Sequence, residues 1–154
     1  IKERYGIADG LIELELTESI FFNEEQIALV KQAVHEMHQL GFRCSLDDFG
    51  SGFSSLGLLK SFDVDAIKLD RVFFEDIEQK KTQDILHCLI ELAHRLHIQV
   101  VAEGIETKEQ LAFLRTTTCD MVQGYYYARP LPAAAFTTWL QQFHTCREVG
   151  QVEL

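Results

Sequence analysis

The chain has 154 residues, of which 47% are hydrophobic and 25% charged, a composition typical of a globular domain with one core. Its formal net charge is -10 at pH 7, which disfavours DNA and anionic membrane surfaces as partners because both carry phosphate charges. No apolar run approaches the ~20 residues of a membrane span, and no signal-peptide pattern opens the chain. We therefore expect a cytoplasmic domain without direct membrane insertion, so any membrane tether would lie in other segments of a parent protein.

Short apolar strands alternate with amphipathic helices along the whole sequence. The helices repeat apolar residues three and four positions apart, and their ends carry Asn23 as an N-cap, Gly41 as a stop, and a capping box of Thr107 with Gln110. In chain order, the sequence predicts strands at 11–16, 42–46, 66–69, 98–102 and 121–122, and helices at 23–41, 54–60, 82–96, 107–116 and 132–143.

This alternation predicts an α/β fold with parallel strands joined by helical crossovers. Most strands are apolar throughout, as expected for strands covered on both faces, whereas the first alternates leucine and isoleucine with Glu13 and Glu15. A doubly wound sheet and a β/α barrel both fit the pattern. The barrel is favoured because polar residues end every strand, which is where barrel active sites are built, whereas a doubly wound sheet concentrates them near one switch point.

Acidic and amide side chains recur at the ends of the predicted strands. Five successive strands end in such residues, more than helix capping requires, and hard oxygen ligands of this kind suit Mg²⁺ or Mn²⁺. An adjacent Asp-Asp pair can hold two ions, the usual apparatus for attack on a phosphodiester, and a lysine could orient water or offset charge. The residues in chain order are Glu15, Glu18, Asp47, Asp48, Lys68, Asp70, Glu103, Glu106 and Gln123.

Some of these residues also have a simpler structural interpretation. Asp70 precedes an irregular stretch and is best explained as a cap. Glu106 directly precedes the capping Thr107, so the sequence leaves it open between a cap and a site residue.

Histidine pairs and consecutive tyrosines are weaker signals. The histidines are spaced three apart on predicted helices and could grip a metal, but no third ligand is evident and surface histidines are the better interpretation. The tyrosines of residues 125–127 could stack on a base or pack at the rim, and the sequence favours neither. The histidines are His35, His38, His94 and His97.

Several segments closely resemble the later motifs of the EAL domain family: LELTES, DDFGSGFSSL, AIKLDR, VVAEGIE and DMVQGYYYARPL. The resemblance covers nearly the whole chain. It implies a modified TIM barrel that hydrolyses the bacterial messenger cyclic di-GMP to linear pGpG with two Mg²⁺ or Mn²⁺ ions. The alternative is a non-hydrolysing receptor or regulatory module, but such members usually lose metal-site residues that are present here.

The resemblance also implies roles for individual residues. Glu15 and Asp47 would bind one ion, and Asp47 would bridge to a second ion held by Asp48 and Glu103. Lys68 would order the attacking water. The remaining roles would be support of water and metals by Glu106 and Gln123, a general base ascribed to the position of Glu103, and shaping of the metal-linked loop by Glu18, Gly50 and Gly52.

Two metal ligands of the family, on the Glu-Ala-Leu strand and on the strand after it, have no counterpart in this sequence. We therefore expect residues 1–154 to be the C-terminal portion of a single EAL domain, with about five parallel strands of an incomplete TIM-type barrel. The resemblance implies a homodimer in the intact protein and an upstream sensor or GGDEF domain as a neighbour. We expect the 154 residues alone to be inactive.

Overall fold

The computed structural model describes residues 2–17, 24–50 and 55–148 of the chain. The described elements alternate as the sequence predicts. The strands are β1 (Glu13–Thr17), β2 (Arg43–Phe49), β3 (Ala66–Leu69), β4 (Gln99–Ala102) and β5 (Met121–Val122), and the helices are α1 (Lys2–Tyr5), α2 (Glu24–Gln39), α3 (Ser55–Ser61), α4 (Lys80–Arg95), α5 (Lys108–Leu114) and α6 (Ala133–Glu148). Within these ranges, none of the helices is long and apolar enough to cross a membrane.

The five strands form one parallel sheet whose spatial order follows the chain order, β1-β2-β3-β4-β5. Parallel neighbours require a crossover between them, and helices such as α2 and α4 supply it. Because all five strands run the same way, their carboxyl ends lie along one rim. The predicted α/β architecture is confirmed, and β1 and β5 form the two edges of an open sheet within the described residues.

The two faces of the sheet differ in chemistry. On one face, Leu46, Ile67 and Val100 belong to a buried cluster that includes Leu86 and Ile90 of α4, and each such fully buried side chain contributes ~1.5–3 kcal/mol. The pairing of β1, β2 and β3 aligns one residue of each across the opposite face. Those three residues are Glu15, Ser45 and Ala66. Asp47 and Lys68 follow two residues later on β2 and β3, closer to the rim.

Strand β2 continues beyond its predicted end and contains the two aspartates. The sequence predicts that the strand ends at residue 46, but the structure extends it to Phe49. A register shift between Leu46 and Phe49 places an extra residue of β2 against β3, which is a bulge. Asp48 has a φ of 53° there. The bulge returns Phe49 to the buried cluster while Asp47 faces Lys68, so the strand gains a core residue without losing its rim carboxylate.

Apart from the short helix α1 (Lys2–Tyr5), which the sequence did not predict, element boundaries account for the other differences from the sequence predictions. β1 begins at Glu13 rather than at residue 11, and α6 continues to Glu148 rather than 143. The irregular stretch after β3 opens with a 3₁₀ turn, Arg71–Phe74, which Asp70 caps by accepting a hydrogen bond from the Val72 N–H. The cap at Asp70 and the capping box of α5 are therefore confirmed.

Two histidines that the sequence suggested to be surface residues bind aspartates at the end of the sheet opposite the rim. His38 Nε2 lies 3.0 Å from Asp65 Oδ2, and His94 Nε2 lies 2.8 Å from Asp120 Oδ2. Both histidines are half-buried. The interpretation as solvated surface histidines is wrong for this pair because each belongs to the last turn of a helix that packs against the next strand.

The two pairs have the same construction. Each aspartate precedes a strand and accepts a second hydrogen bond, from the Cys44 N–H at 2.7 Å to Asp65 and from the Val100 N–H at 2.8 Å to Asp120. The Asp65 carboxylate thus links the end of α2, strand β2 and the start of β3. The Asp120 carboxylate links the end of α4, strand β4 and the start of β5 in the same way. We call these the two histidine–aspartate clamps, and they lie at the barrel end associated with stability.

Candidate metal and catalytic site at the strand rim

Lys68 forms the centre of the carboxylate cluster at the rim. It lies on β3, which is buried throughout, and its Nζ is 2.7 Å from Glu15 Oε1, 2.9 Å from Asp47 Oδ1 and 3.0 Å from Glu103 Oε1. The three carboxylates come from β1, β2 and the end of β4. The structure therefore brings together four of the residues that the sequence singled out, from four different strands or their ends.

Burial and the neighbouring charges shift the pKa values of Lys68 and Glu103. Burial alone would lower the pKa of Lys68, but the contacts with Glu15, Asp47 and Glu103 outweigh it and hold that pKa well above its ordinary value. Burial raises the pKa of Glu103; the nearby Lys68 partly offsets this, and the carboxylates of Asp47 and Glu15 add to it. The cluster therefore holds one ammonium among three carboxylates.

The donors of the cluster fit Mg²⁺ or Mn²⁺. Asp47 Oδ1 is buried, and within the described ranges it has no hydrogen-bond partner of good geometry, only the Lys68 ammonium. Hard divalent ions bind carboxylate oxygens. A buried carboxylate oxygen that already contacts a cation and has further carboxylates nearby is a suitable ligand for such an ion. Across the described residues, no three His, Cys, Asp or Glu side chains form a ready metal cage, and Lys68 takes the point shared by three of these carboxylates.

Asp48 lies next to the cluster but is exposed. Its positive φ is an uncommon conformation for a residue with a side chain and is found most often at functional sites and turns. The conformation belongs to the bulge of β2 that separates Asp47 from Phe49. Asp48 is thus positioned at the rim by local backbone geometry rather than by the regular alternation of a strand.

Glu106 and Gln123 lie on the far side of Glu103. With Glu103 they line an open cavity of about 760 Å³ between the rim and α6, which also contains Arg71, Tyr125 and Arg129. The Glu106 N–H donates to Gln110 Oε1 at 2.8 Å, and Gln123 is fixed by backbone bonds to Ala102 and Ile105. The α5 capping box and the end of β5 therefore hold these two residues at the cavity.

The sequence left open whether the tyrosines line a binding site or pack at the rim, and the structure shows both arrangements. The Arg129 guanidinium lies over the Tyr125 ring, 4.5 Å from its centroid, and both residues line the cavity. Tyr127 packs against the core and contacts Tyr126 edge-on. Tyr125 and Tyr127 therefore both line the cavity, and Tyr127 also packs against the core.

At two positions near the rim, the backbone conformation and close packing require glycine. Gly50 has a φ of +94°, and a Cβ there would collide with the Phe73 ring. At Gly124 a Cβ would collide with the Ile105 backbone, so β5 and the loop after β4 approach as closely as two main chains can. The sequence identified Gly50 but missed Gly124, for which the only signal was its position after the strand-ending Gln123. Glu18 and Gly52 lie outside the described residues.

The sequence also missed Ser45. It is fully buried beneath the cluster, and its Oγ has no hydrogen-bond partner in the part of the chain that the structure describes. Its small side chain faces the same side of the sheet as Glu15, so it leaves room for the Lys68 stem to reach the carboxylates.

Residues 1–130 match the family model described as EAL domain. Over 143 residues the chain is 43% identical to the cyclic di-GMP phosphodiesterase NbdA of Pseudomonas aeruginosa, covering 92% of this chain and 18% of the relative. It is 41% identical over 133 residues to the cyclic di-GMP phosphodiesterase PdeR of Escherichia coli, covering 86% and 20%. The chain thus spans about a fifth of the length of these curated relatives.

Among solved structures, the EAL domain of Mycobacterium smegmatis DcpA superposes with a TM-score of 0.84 at 32% identity, covering 92% of this chain and 63% of that one. The parallel sheet with its helices is thus the TIM-barrel-like fold of EAL structures, with the barrel not closed within the residues described.

Proposed function

This chain belongs to the EAL domain family, and on that premise we propose that it is part of a metal-dependent phosphodiesterase that hydrolyses cyclic di-GMP to linear pGpG. The observation that carries the proposal is the convergence of Glu15, Asp47 and Glu103 on one point of the rim. Carboxylates gathered in this way repel one another unless cations lie among them. The relatives NbdA and PdeR are named cyclic di-GMP phosphodiesterases, which supports this substrate.

Glu15, Asp47, Asp48 and Glu103 would hold two Mg²⁺ or Mn²⁺ ions. Bound there, the ions would neutralise charge on a phosphodiester and lower the pKa of a bound water. Asp47 is the best candidate to bridge them because it lies between Glu15 on one side and the Asp48 bulge on the other.

The chain's own residues would then position water and substrate. Lys68 reaches the carboxylates from a buried strand, and its ammonium would act as the donor that orients an attacking water. Glu103 contacts Lys68 and lines the cavity, which suits a group that takes a proton from that water. The dinucleotide would occupy the cavity, with Glu106 and Gln123 beside the reacting phosphate and Tyr125 and Arg129 further along.

The test is hydrolysis of cyclic di-GMP by the full-length protein in Mn²⁺, with Asp47→Asn as the decisive variant. An amide cannot bridge two cations as a carboxylate does, so the rate should fall by orders of magnitude. Asp84→Asn, an exposed residue paired with Lys80 on α4, is the matched control and should retain the wild-type rate. Near-normal hydrolysis by Asp47→Asn would refute the two-ion site. Tight binding of cyclic di-GMP by a wild type without turnover would indicate a receptor instead.

We also propose that the intact protein is a homodimer in the bacterial cytoplasm, regulated by an upstream sensor or GGDEF domain. Support for a dimer comes from the exposed apolar side chains Leu56, Ile85 and Leu92, all of which line one groove together with Cys88. Cys44, Cys88 and Cys119 are free thiols, as is usual in a reducing compartment. Sedimentation of the full-length protein against Ile85→Glu would test the dimer, which the charge should dissociate.

A further inference from the structure

The Lys68 ammonium occupies the place that the proposed function gives to a divalent ion. Its Nζ is within 3.0 Å of an oxygen from each of Glu15, Asp47 and Glu103. An amine on a long flexible stem usually points to water, yet Lys68 is buried, with 8% of its surface exposed. The lysine is therefore built into the cluster rather than resting on its surface.

The backbone that carries Lys68 has little freedom to move. Its neighbours Ile67 and Leu69 are fully buried in the sheet, and hydrogen bonds of the parallel ladder fix β3 on both sides. The stem extends over the face that carries Ser45 and Ala66, the two smallest side chains of that layer. Any cation that binds Asp47 must then approach or displace this positive charge, and the two repel each other.

We propose that Lys68 is the resident counter-ion of the rim carboxylates: it holds Glu15, Asp47 and Glu103 together in the metal-free protein and weakens divalent-ion binding by competing for the same oxygens. The inference rests on the proposed function, since it assumes that these carboxylates take metal ions. As a consequence, Lys68 has one role before the ions bind and another role afterwards. The ammonium satisfies the carboxylates before the ions arrive and, once released from them, is free to hold the attacking water.

The competition predicts opposite effects of one substitution on folding and on metal affinity. Lys68→Met keeps a side chain of similar length and removes the charge. The metal-free variant should melt at a lower temperature than wild type because the three carboxylates lose the counter-ion that they share. It should also bind Mn²⁺ at least tenfold more tightly, so its melting temperature should rise more than that of wild type when Mn²⁺ is added.

The measurement is calorimetric titration of the chelator-stripped full-length protein with MnCl₂, together with thermal unfolding with and without Mn²⁺. Lys68→Arg keeps the charge and should show no gain in affinity. Lys80→Met removes an exposed lysine on α4 and should match wild type in both measurements. Unchanged or weaker Mn²⁺ binding by Lys68→Met would overturn the counter-ion proposal alone. A wild type that binds no Mn²⁺ would overturn the proposed metal site, and the counter-ion proposal with it.

If Lys68→Met does not fold, the wild-type protein still supplies a test. Reductive methylation followed by mass spectrometry reports how freely each lysine amine reacts. Lys68 should react at least several-fold faster in Mn²⁺ than in chelator because the ions release it from its carboxylate partners, while exposed Lys80 should react equally in both. Equal rates for Lys68 in the two conditions would contradict the proposal.

Discussion

At the scale of single residues, the rim depends on groups whose chemical type cannot be exchanged. A carboxylate on β1, another on β2 and a third after β4 meet one ammonium from β3. Glutamine or asparagine would fill the same space but would neither balance Lys68 nor bind a divalent ion as strongly. The pKa of Glu103 is raised above its ordinary value, first by burial and then by the other carboxylates, although Lys68 pulls it back.

Lys68→Ala should lower turnover of cyclic di-GMP by ~10²-fold at saturating Mn²⁺, with substrate binding largely intact. The reason is that the ammonium would orient water rather than hold the dinucleotide. Steady-state kinetics and calorimetry in Ca²⁺ would separate the two effects. Lost binding with unchanged turnover at saturation would make Lys68 a substrate clamp instead.

Gly50→Ala should destabilise the protein by about 1–3 kcal/mol, since it combines a φ of +94° with a collision against the Phe73 ring. Gly57→Ala is the matched control because Gly57 lies within α3 with open space around its Cα. That variant should gain ~0.5–1 kcal/mol through helix propensity. Urea unfolding of both would decide, and a neutral Gly50→Ala would show that the loop can move away from Phe73.

At the scale of elements, β2 and β3 direct alternate side chains to the two faces of the sheet. The same alternation that sends Leu46 and Ile67 toward the helices sends Ser45, Ala66 and Lys68 to the opposite face. The bulge at Asp48 is the one irregularity in β2, and it lets Phe49 re-enter the core. At the other end of the sheet, the two histidine–aspartate clamps tie the helix ends to the strands, so rim and base are stabilised by different interactions.

Asp120→Ala should cost about 1–3 kcal/mol at neutral pH because it leaves the buried Val100 N–H without its acceptor and removes the partner of His94. Asp84→Ala, which breaks an exposed pair with Lys80, should cost at most about 0.5 kcal/mol. Urea unfolding at pH 7 measures both. Equal losses for the two variants would show that the clamp contributes nothing.

The contribution of Asp120 should also depend on pH in a defined direction. Burial alone would raise the pKa of this carboxyl, but the hydrogen bonds from His94 and Val100 hold it below its ordinary value of 3.8. A carboxyl whose pKa is lowered by folding stabilises the protein fully above its unfolded-state pKa and loses that effect as the pH falls through the folded-state value. The stability difference between wild type and Asp120→Ala should therefore shrink as the pH falls below about 4, which urea unfolding at a series of acidic pH values would measure.

At the scale of the whole molecule, the described sheet has two open edges. β1 pairs only with β2 and β5 only with β4 among the described strands, and each edge exposes unpaired backbone groups. Apolar residues near these edges are exposed as well, among them Leu11, Met121 and Phe136. Five strands at ordinary tilt do not close a barrel, so pairing of both edges would require strands other than the five described.

Expressed alone, residues 1–154 should self-associate through these edges and show negligible hydrolysis of cyclic di-GMP in Mn²⁺. Unpaired strand edges recruit other edges, and the carboxylates present would bind ions weakly without further ligands. Light scattering and an activity assay are sufficient measurements. A monomer that turns over substrate at ~1 s⁻¹ or faster would contradict this expectation, and the full-length protein serves as the positive control.

The sequence by itself determined the alternation of strands and helices, the parallel sheet, the motifs of the family and the identity of the rim residues. These follow from periodicity, capping and strand-end chemistry, which are local along the chain: the β3 bounds, the Asp70 cap and the Thr107–Gln110 capping box all match. Only the tertiary structure decided that Lys68 contacts three carboxylates and that His38 and His94 bind aspartates. Those partners lie on different elements, and side-chain direction across strands depends on register and on the bulge at Asp48. No local pattern encodes that register, because it is fixed by how the buried faces of all five strands pack together.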